Sequence, residues 1–237
     1  RGNRGWRGDA ERDLFEAIEE VQEFAKLDPD RWYLTGHSAG GDGAWAIVQH
    51  TPDLWAAAGM QSGSMHAGRP EWGLIPNQAY VPFHLLIGAD DNLPGRLPDT
   101  KEAHRILQKL GGESKLVVLP GVGHYPLKDD AVEEHNRWIA GHVRKRPSKF
   151  RFTVDQPNHP GVWGITVPLN TRLIKEPWPT FECEIKGQEV RIVAKNAEAL
   201  RVDLRRLQMA GDVKLWVNGK RVHEGPVPEK AIDIQNL

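Results

Sequence analysis

The stretch Asp30-Arg-Trp-Tyr-Leu-Thr-Gly-His-Ser-Ala-Gly-Gly-Asp-Gly-Ala-Trp-Ala-Ile-Val-Gln-His50 is the most informative part of this chain. Trp32 to Thr35 is a short, β-prone apolar run that stops at Gly36, and Gly40 to His50 has the composition of a helix. Between them, Gly36-His-Ser-Ala-Gly40 matches G-x-S-x-G where that pattern has physical meaning, at a sharp turn from strand into helix. The two glycines are expected to permit a turn that lifts the Ser38 hydroxyl above the sheet edge. The Ala39 amide, at the start of the helix, would then point at negative charge developing on a bound carbonyl oxygen.

Working outward, Leu14, Ile18, Val21, Phe24 and Ala25 recur at spacings of three and four, which predicts one face of a helix over Asp9 to Lys26. Trp55 to Met60, Val81 to Ile87 and Lys115 to Leu119 suit central strands, while Thr100 to Leu110 and Ala131 to Val143 suit helices. Strands alternating with helices imply an α/β domain, a mostly parallel sheet flanked by helices on both faces. After Arg144-Lys-Arg-Pro-Ser-Lys149 the periodicity changes. Phe150 to Val154, Val162 to Val167, Phe181 to Ile185, Val190 to Ala194 and Lys214 to Val217 are short alternating segments between Asn, Gly and Pro turns. Residues 1–147 are therefore expected to form the α/β domain and 148–237 a small antiparallel, β-sandwich-like domain. Asn218-Gly219 supplies the two positive φ angles of a tight hairpin turn.

The 237 residues are 27% charged and 39% hydrophobic with a formal net charge of -1, which argues for a folded chain and against nucleic-acid or anionic-membrane partners. No run approaches the roughly 18 apolar residues of a membrane helix. No signal peptide is visible, but the chain opens without methionine, so its localisation is open, secretion or the periplasm included. The single cysteine, Cys183, lies in an alternating segment and reads as a buried structural residue. Oligomeric state is not legible.

A serine hydroxyl needs a base, so a histidine is expected on a loop at the same sheet edge. Among ten histidines, His124 in Pro120-Gly-Val-Gly-His-Tyr-Pro126 follows an apolar strand and precedes a helix, at the carboxyl edge where catalytic groups gather. His66, His84, His104, His135, His142, His159 and His223 read as surface or packing residues, His50 as a helix end and His37 as a neighbour of the serine. The carboxylate that orients the base should lie between Ser38 and His124 in the chain; Asp90 and Asp91, which follow Phe83-His-Leu-Leu-Ile87 and Gly88, both qualify. Asp42 is too close to Ser38, and Asp99, Asp129 and Asp130 read as helix-start residues.

With Gly36-His-Ser-Ala-Gly40, Gly88-Ala-Asp-Asp91 and Gly121-Val-Gly-His124, residues 1 to about 145 resemble the esterase branch of the α/β-hydrolase superfamily, near polyhydroxybutyrate-depolymerase-like, feruloyl-esterase-like and prolyl-oligopeptidase-like proteins. The resemblance implies a serine hydrolase acting on small-molecule or polymer-linked esters through an acyl-enzyme, with no metal or organic cofactor. Its usual G-x-x-D spacing selects Asp91, whereas a D-x-x-L-P spacing would select Asp90. In that superfamily several strands precede the first helix seen here, and one of their loops supplies the second oxyanion amide. Their absence leads us to expect a partial hydrolase domain from a longer chain, a poor catalyst alone, with Arg1 to Gly8 bordering the site. A prolyl-oligopeptidase-type peptidase is the rival enzyme. A non-catalytic glycan-binding module, with Trp163, Trp178 and Trp216 as a stacking face, is the rival of another class.

Overall fold

In the computed structural model the chain divides into two compact units, Arg1–Lys145 and Arg146–Leu237, and residues 6, 8–65, 71–169 and 176–237 are described. His66 and most of Arg1 to Gly8, expected beside the site, fall outside the described residues.

The first unit runs α1 (Asp9–Phe24), β1 (Tyr33–His37), α2 (Ala39–His50), β2 (Ala57–Gln61), α3 (Glu71–Gln78), β3 (Phe83–Gly88), α4 (Arg96–Lys109), β4 (Ser114–Leu119) and α5 (Asp129–Ala140). Its four strands are parallel in the order β1-β2-β3-β4. Alternation along β2 sets the two faces. Ala58 and Met60 join a core with Trp45, Val48, Phe83, Leu85, Ala103 and Leu107, which brings in α2 and α4. Gly59, on the other face, meets α5, where a Cβ would lie 2.5 Å from the His135 ring. The expected α/β arrangement is present, with helices on both faces of a parallel sheet.

Several elements depart from the periodicity reading. Leu14, Phe15 and Ile18 of α1 pack on the core, but Val21 and Phe24 are exposed, Phe24 by 84%, so only the first half of that apolar face is used. α3 was not expected because it contains Pro76; buried Leu74, Ile75 and Asn77 hold it in place. α4 begins at Arg96, four residues before the expected start, because Pro98 lies in its first turn, where a missing N–H breaks no intrahelical bond. Asp99 is consequently inside the helix rather than its cap; the N-cap is Gly95, at φ 78°.

The second unit holds β5 (Lys149–Thr153), β6 (Gly161–Val162), β7 (Ile165–Thr166), β8 (Thr180–Lys186), β9 (Glu189–Lys195), β10 (Ala199–Val202), β11 (Asp212–Val217), β12 (Lys220–Pro226) and β13 (Ile232–Gln235). They form a five-stranded sheet, β12-β11-β9-β8-β5, and a four-stranded sheet, β13-β10-β7-β6. Phe150 of the first packs on Trp163 of the segment between β6 and β7, centroids 4.5 Å apart. One pair breaks the antiparallel expectation: β9 and β11 are parallel, because the chain crosses to the other sheet as β10 between them. Asn218 and Gly219 turn the β11–β12 hairpin at φ 48° and 79°.

Candidate active site

β1 ends at His37 and α2 begins at Ala39, leaving Ser38 alone at the junction with φ 54° and ψ -118°. A non-glycine residue there is strained, and the surrounding backbone over-determines it. The Ser38 amide donates to Gln61 O on the neighbouring strand (2.8 Å), and its carbonyl accepts from Asp42 N (3.0 Å). A Cβ at Gly36 would sit 2.4 Å from both C and O of Gly40, so only glycine allows the chain to fold back so closely. Gly40, expected to matter equally, has open space where its Cβ would be. Close packing falls instead on Gly41, whose Cβ would lie 2.9 Å from Met60 Cγ. Ala39 is the first residue of α2, whose leading amides have no acceptor inside the helix and share the positive end of its dipole.

Two further loops leave the same sheet edge, one after β3 and one after β4. The amide of Asp90 donates to Val122 O (2.9 Å) and that of Ala89 to Leu119 O (2.8 Å), which ties the loops together. A Cβ at Gly88 would lie 2.1 Å from Val122 O and 2.4 Å from Gly123 O, so a side chain there would force them apart. Within this junction His124 Nδ1–H donates to Asp91 Oδ2 at 2.9 Å, and Ser38 Oγ–H donates to His124 Nε2 at 2.9 Å. The Asp91 side chain has no exposed surface, and its Oδ1 accepts from the amide of Leu93 (3.2 Å). Asp90 is exposed, so of the two candidate carboxylates it is Asp91 that faces the ring. A hydroxyl, a neutral imidazole and a buried carboxylate in series can move the hydroxyl proton onto the ring and hold the imidazolium that forms.

His37 completes the wall. Its Nε2–H donates to the carbonyl of His124 (3.2 Å), and its ring stands edge-on to Tyr125, centroids 5.7 Å apart. Tyr125 is 78% exposed, a large aromatic at the rim. No motif pointed to Arg96, whose guanidinium reaches Asp42 and the Ser62 carbonyl.

The remaining histidines lie outside this constellation. His84 and His135 are buried beneath the sheet in a chain, Thr35 Oγ1 to His135 Nε2 (2.8 Å) and His135 Nδ1 to His84 Nδ1 (2.9 Å). His84 Nε2 has no partner among the described residues. The consistent proton arrangement has His84 Nδ1–H donating to His135 and His135 Nε2–H donating to Thr35, which leaves a bare acceptor at His84 Nε2 rather than a stranded donor. Burial, with Lys115 nearby, lowers His84 to about 4 against an opposing pull from Glu134. Burial and the His84 partner lower His135 to about 3. Cys183 is buried in the second unit, which pushes its thiol up to about 12. Trp163 is in the core there, and Trp216 lies between the guanidinium groups of Arg191 and Arg221, 5.1 and 5.8 Å from its centroid.

A model of the prolyl oligopeptidase family matches residues 1–70. An uncharacterized secreted protein of Arthroderma benhamiae is 26% identical over 170 residues, which is 58% of this chain and 18% of that protein. A thermostable esterase superposes with a TM-score of 0.49 at 19% identity over 58% of this chain and 38% of its own. Esterase PE8 gives 0.44 at 21% identity over 55% of this chain and 60% of its own. The chain thus spans less than a fifth of the fungal relative's length and less than two thirds of either structure's chain.

Proposed function

We propose that the chain carries the nucleophile, base and acid of a serine hydrolase that cleaves carboxylic esters. The observation that supports this is the unbroken hydrogen-bonded series from Asp91 through His124 to Ser38, with Ser38 held at positive φ immediately before α2. Ser38 Oγ attacks the ester carbonyl as His124 Nε2 takes its proton. The carbonyl oxygen becomes an oxyanion facing the Ala39 amide, and Asp91 holds the imidazolium. His124 returns the proton to the departing alcohol, leaving an acyl group on Ser38. Water, deprotonated by the same ring, then releases the acid. The exposed Tyr125 edge suits esters whose alcohol or acyl arm projects into solvent, polymer-linked ones included.

A second reading, peptide-bond cleavage by the same groups, draws on the prolyl oligopeptidase match over residues 1–70. Labelling with a fluorophosphonate, which accumulates over time and so reads even a slow catalyst, tests the nucleophile. The adduct is expected on Ser38 and is lost in Ser38→Ala, whose turnover should fall by about a millionfold where chemistry is limiting. Comparing p-nitrophenyl esters with peptidyl anilides separates the two bond types. A Ser38→Ala chain that labels and turns over like the wild type would refute both readings.

A further inference from the structure

Arg96 opens α4 directly after the loop that carries Asp91, and its guanidinium reaches back across the carboxyl edge of the sheet. Nη1 donates to the Ser62 carbonyl at 2.6 Å and lies 3.4 Å from Asp42 Oδ1. Asp42 sits one helical turn after Ser38, and the same Oδ1 accepts the Ser64 amide at 2.5 Å. Ser64 Oγ in turn donates to Asp99 Oδ2, back on α4, at 3.5 Å. The ring of contacts closes from α4 to α2, to the segment after β2, and back to α4.

Backbone packing inside this ring leaves little freedom. A Cβ at Gly41 would lie 3.2 Å from Gly63 Cα, and one at Gly63 would lie 2.3 Å from Met60 Cγ. The first turn of α2 is therefore wedged against Gly63 and the sheet. The Arg96 and Asp42 side chains are only 12% and 18% exposed. An ion pair so far out of water adds little net stability, because desolvation offsets its attraction. Its directional hydrogen bonds nevertheless fix where the two elements stand.

We propose that Arg96 is a positioning residue: through Asp42 and the Ser62 carbonyl it fixes the first turn of α2, and with it Ser38 and the Ala39 amide, relative to the loop carrying Asp91. The inference rests on the reading of Ser38 as nucleophile. Arg96 touches neither the reacting hydroxyl nor His124; it acts by setting the distance between them and the acid loop.

The test compares fluorophosphonate inactivation of the wild type, Arg96→Lys, and a double variant Arg96→Met/Asp42→Asn in the full chain. The double variant removes both charges together, so that the net charge of the ring is unchanged while the directional contact between Arg96 and Asp42 is lost. Cooperative thermal unfolding certifies that each protein is folded. For the double variant kinact is expected to fall about tenfold to a hundredfold with KI within about twofold, the cost of a misplaced reacting group. Arg96→Lys keeps the charge and one contact, and should recover kinact to within about threefold of wild type. A folded double variant with wild-type kinact overturns the positioning role alone, as does an Arg96→Lys protein no faster than the double variant. A wild type that never labels on Ser38 overturns the hydrolase reading, and this inference with it.

Discussion

Acidifying the protein from about pH 8 to about pH 5 should weaken the first unit through His84 and His135, while most carboxylates are still ionised. Both rings are buried and neutral in the fold, at about 4 and about 3, against an ordinary histidine value of 6.5. Because the folded values lie below the unfolded ones, the unfolded chain binds more protons as the pH falls below 6.5. The stability these groups permit is thus complete above about pH 7 and drains away toward pH 4 and 3. At pH 5 the linkage integral amounts to about 2 kcal/mol for each ring, about 4 kcal/mol together, and is insensitive to the folded value once that lies well below 5. A domain's whole stability is about 5–15 kcal/mol, so the effect is large. The groups facing the pair are Thr35, Trp138, Lys115 and Glu134; the last two bond each other at 2.6 Å on the surface. Urea unfolding followed by the helical circular-dichroism signal reads this unit, since all five helices described lie in it. The midpoint should fall steeply between the two pH values, and His84→Gln/His135→Gln, less stable throughout, should show a much flatter dependence. An unchanged pH slope in that variant, or two buried ring protons titrating near 6.5 in the folded protein, would refute the reasoning.

Asp91→Asn should leave the fold intact and cut p-nitrophenyl ester turnover by about 10⁴, because the amide favours the wrong imidazole tautomer; Asp90→Asn should stay near wild type, and equal losses would count against the assignment. Gly88→Ala, which drives a methyl into the Val122 carbonyl, should lower both the melting temperature and the labelling rate, by an amount typical of core overpacking, about 1–3 kcal/mol. Gly40→Ala, with open space around it, should do neither. Cys183 should resist an aromatic disulfide reagent in the native protein at neutral pH and react in denaturant, since burial keeps its thiol protonated.

The elbow was legible because its signals are local: an apolar strand, a glycine and a helix within twenty residues. His124 and Asp91 were legible one step less directly, as polar residues placed just after apolar strands. What stayed hidden depends on partners distant in the chain. Gly41 and Gly63 look like ordinary loop and helix glycines until their backbones meet over Met60. Arg96 lay in a segment broken by prolines at 94 and 98 and read as loop, yet Pro98 falls where a helix tolerates it. α3 was invisible because Pro76 lies inside it, and β10 and β13 are only Ala199–Val202 and Ile232–Gln235, runs too short for their pattern to stand out. The parallel β9–β11 pair could not be read at all, because alternation specifies a strand but not its direction.

That parallel pair has a bearing on how the second unit reaches its fold. The hairpins β8–β9 and β11–β12 each turn on two residues, Gly187-Gln188 and Asn218-Gly219, and such local units form in about 1–10 μs. Neither can complete the five-stranded sheet by itself. The chain between them lays β10 into the opposite sheet and sinks Leu204, Leu207 and Met209 into the interior. Their shared seam pairs Glu189 with Lys214, far more distant in the chain than the partners within either hairpin, so its loop entropy places it after both hairpins in the unit's assembly. Until it forms, the flanks of β9 and β11 are two unpaired edges on one chain, and their pairing with each other is what denies them to a neighbour.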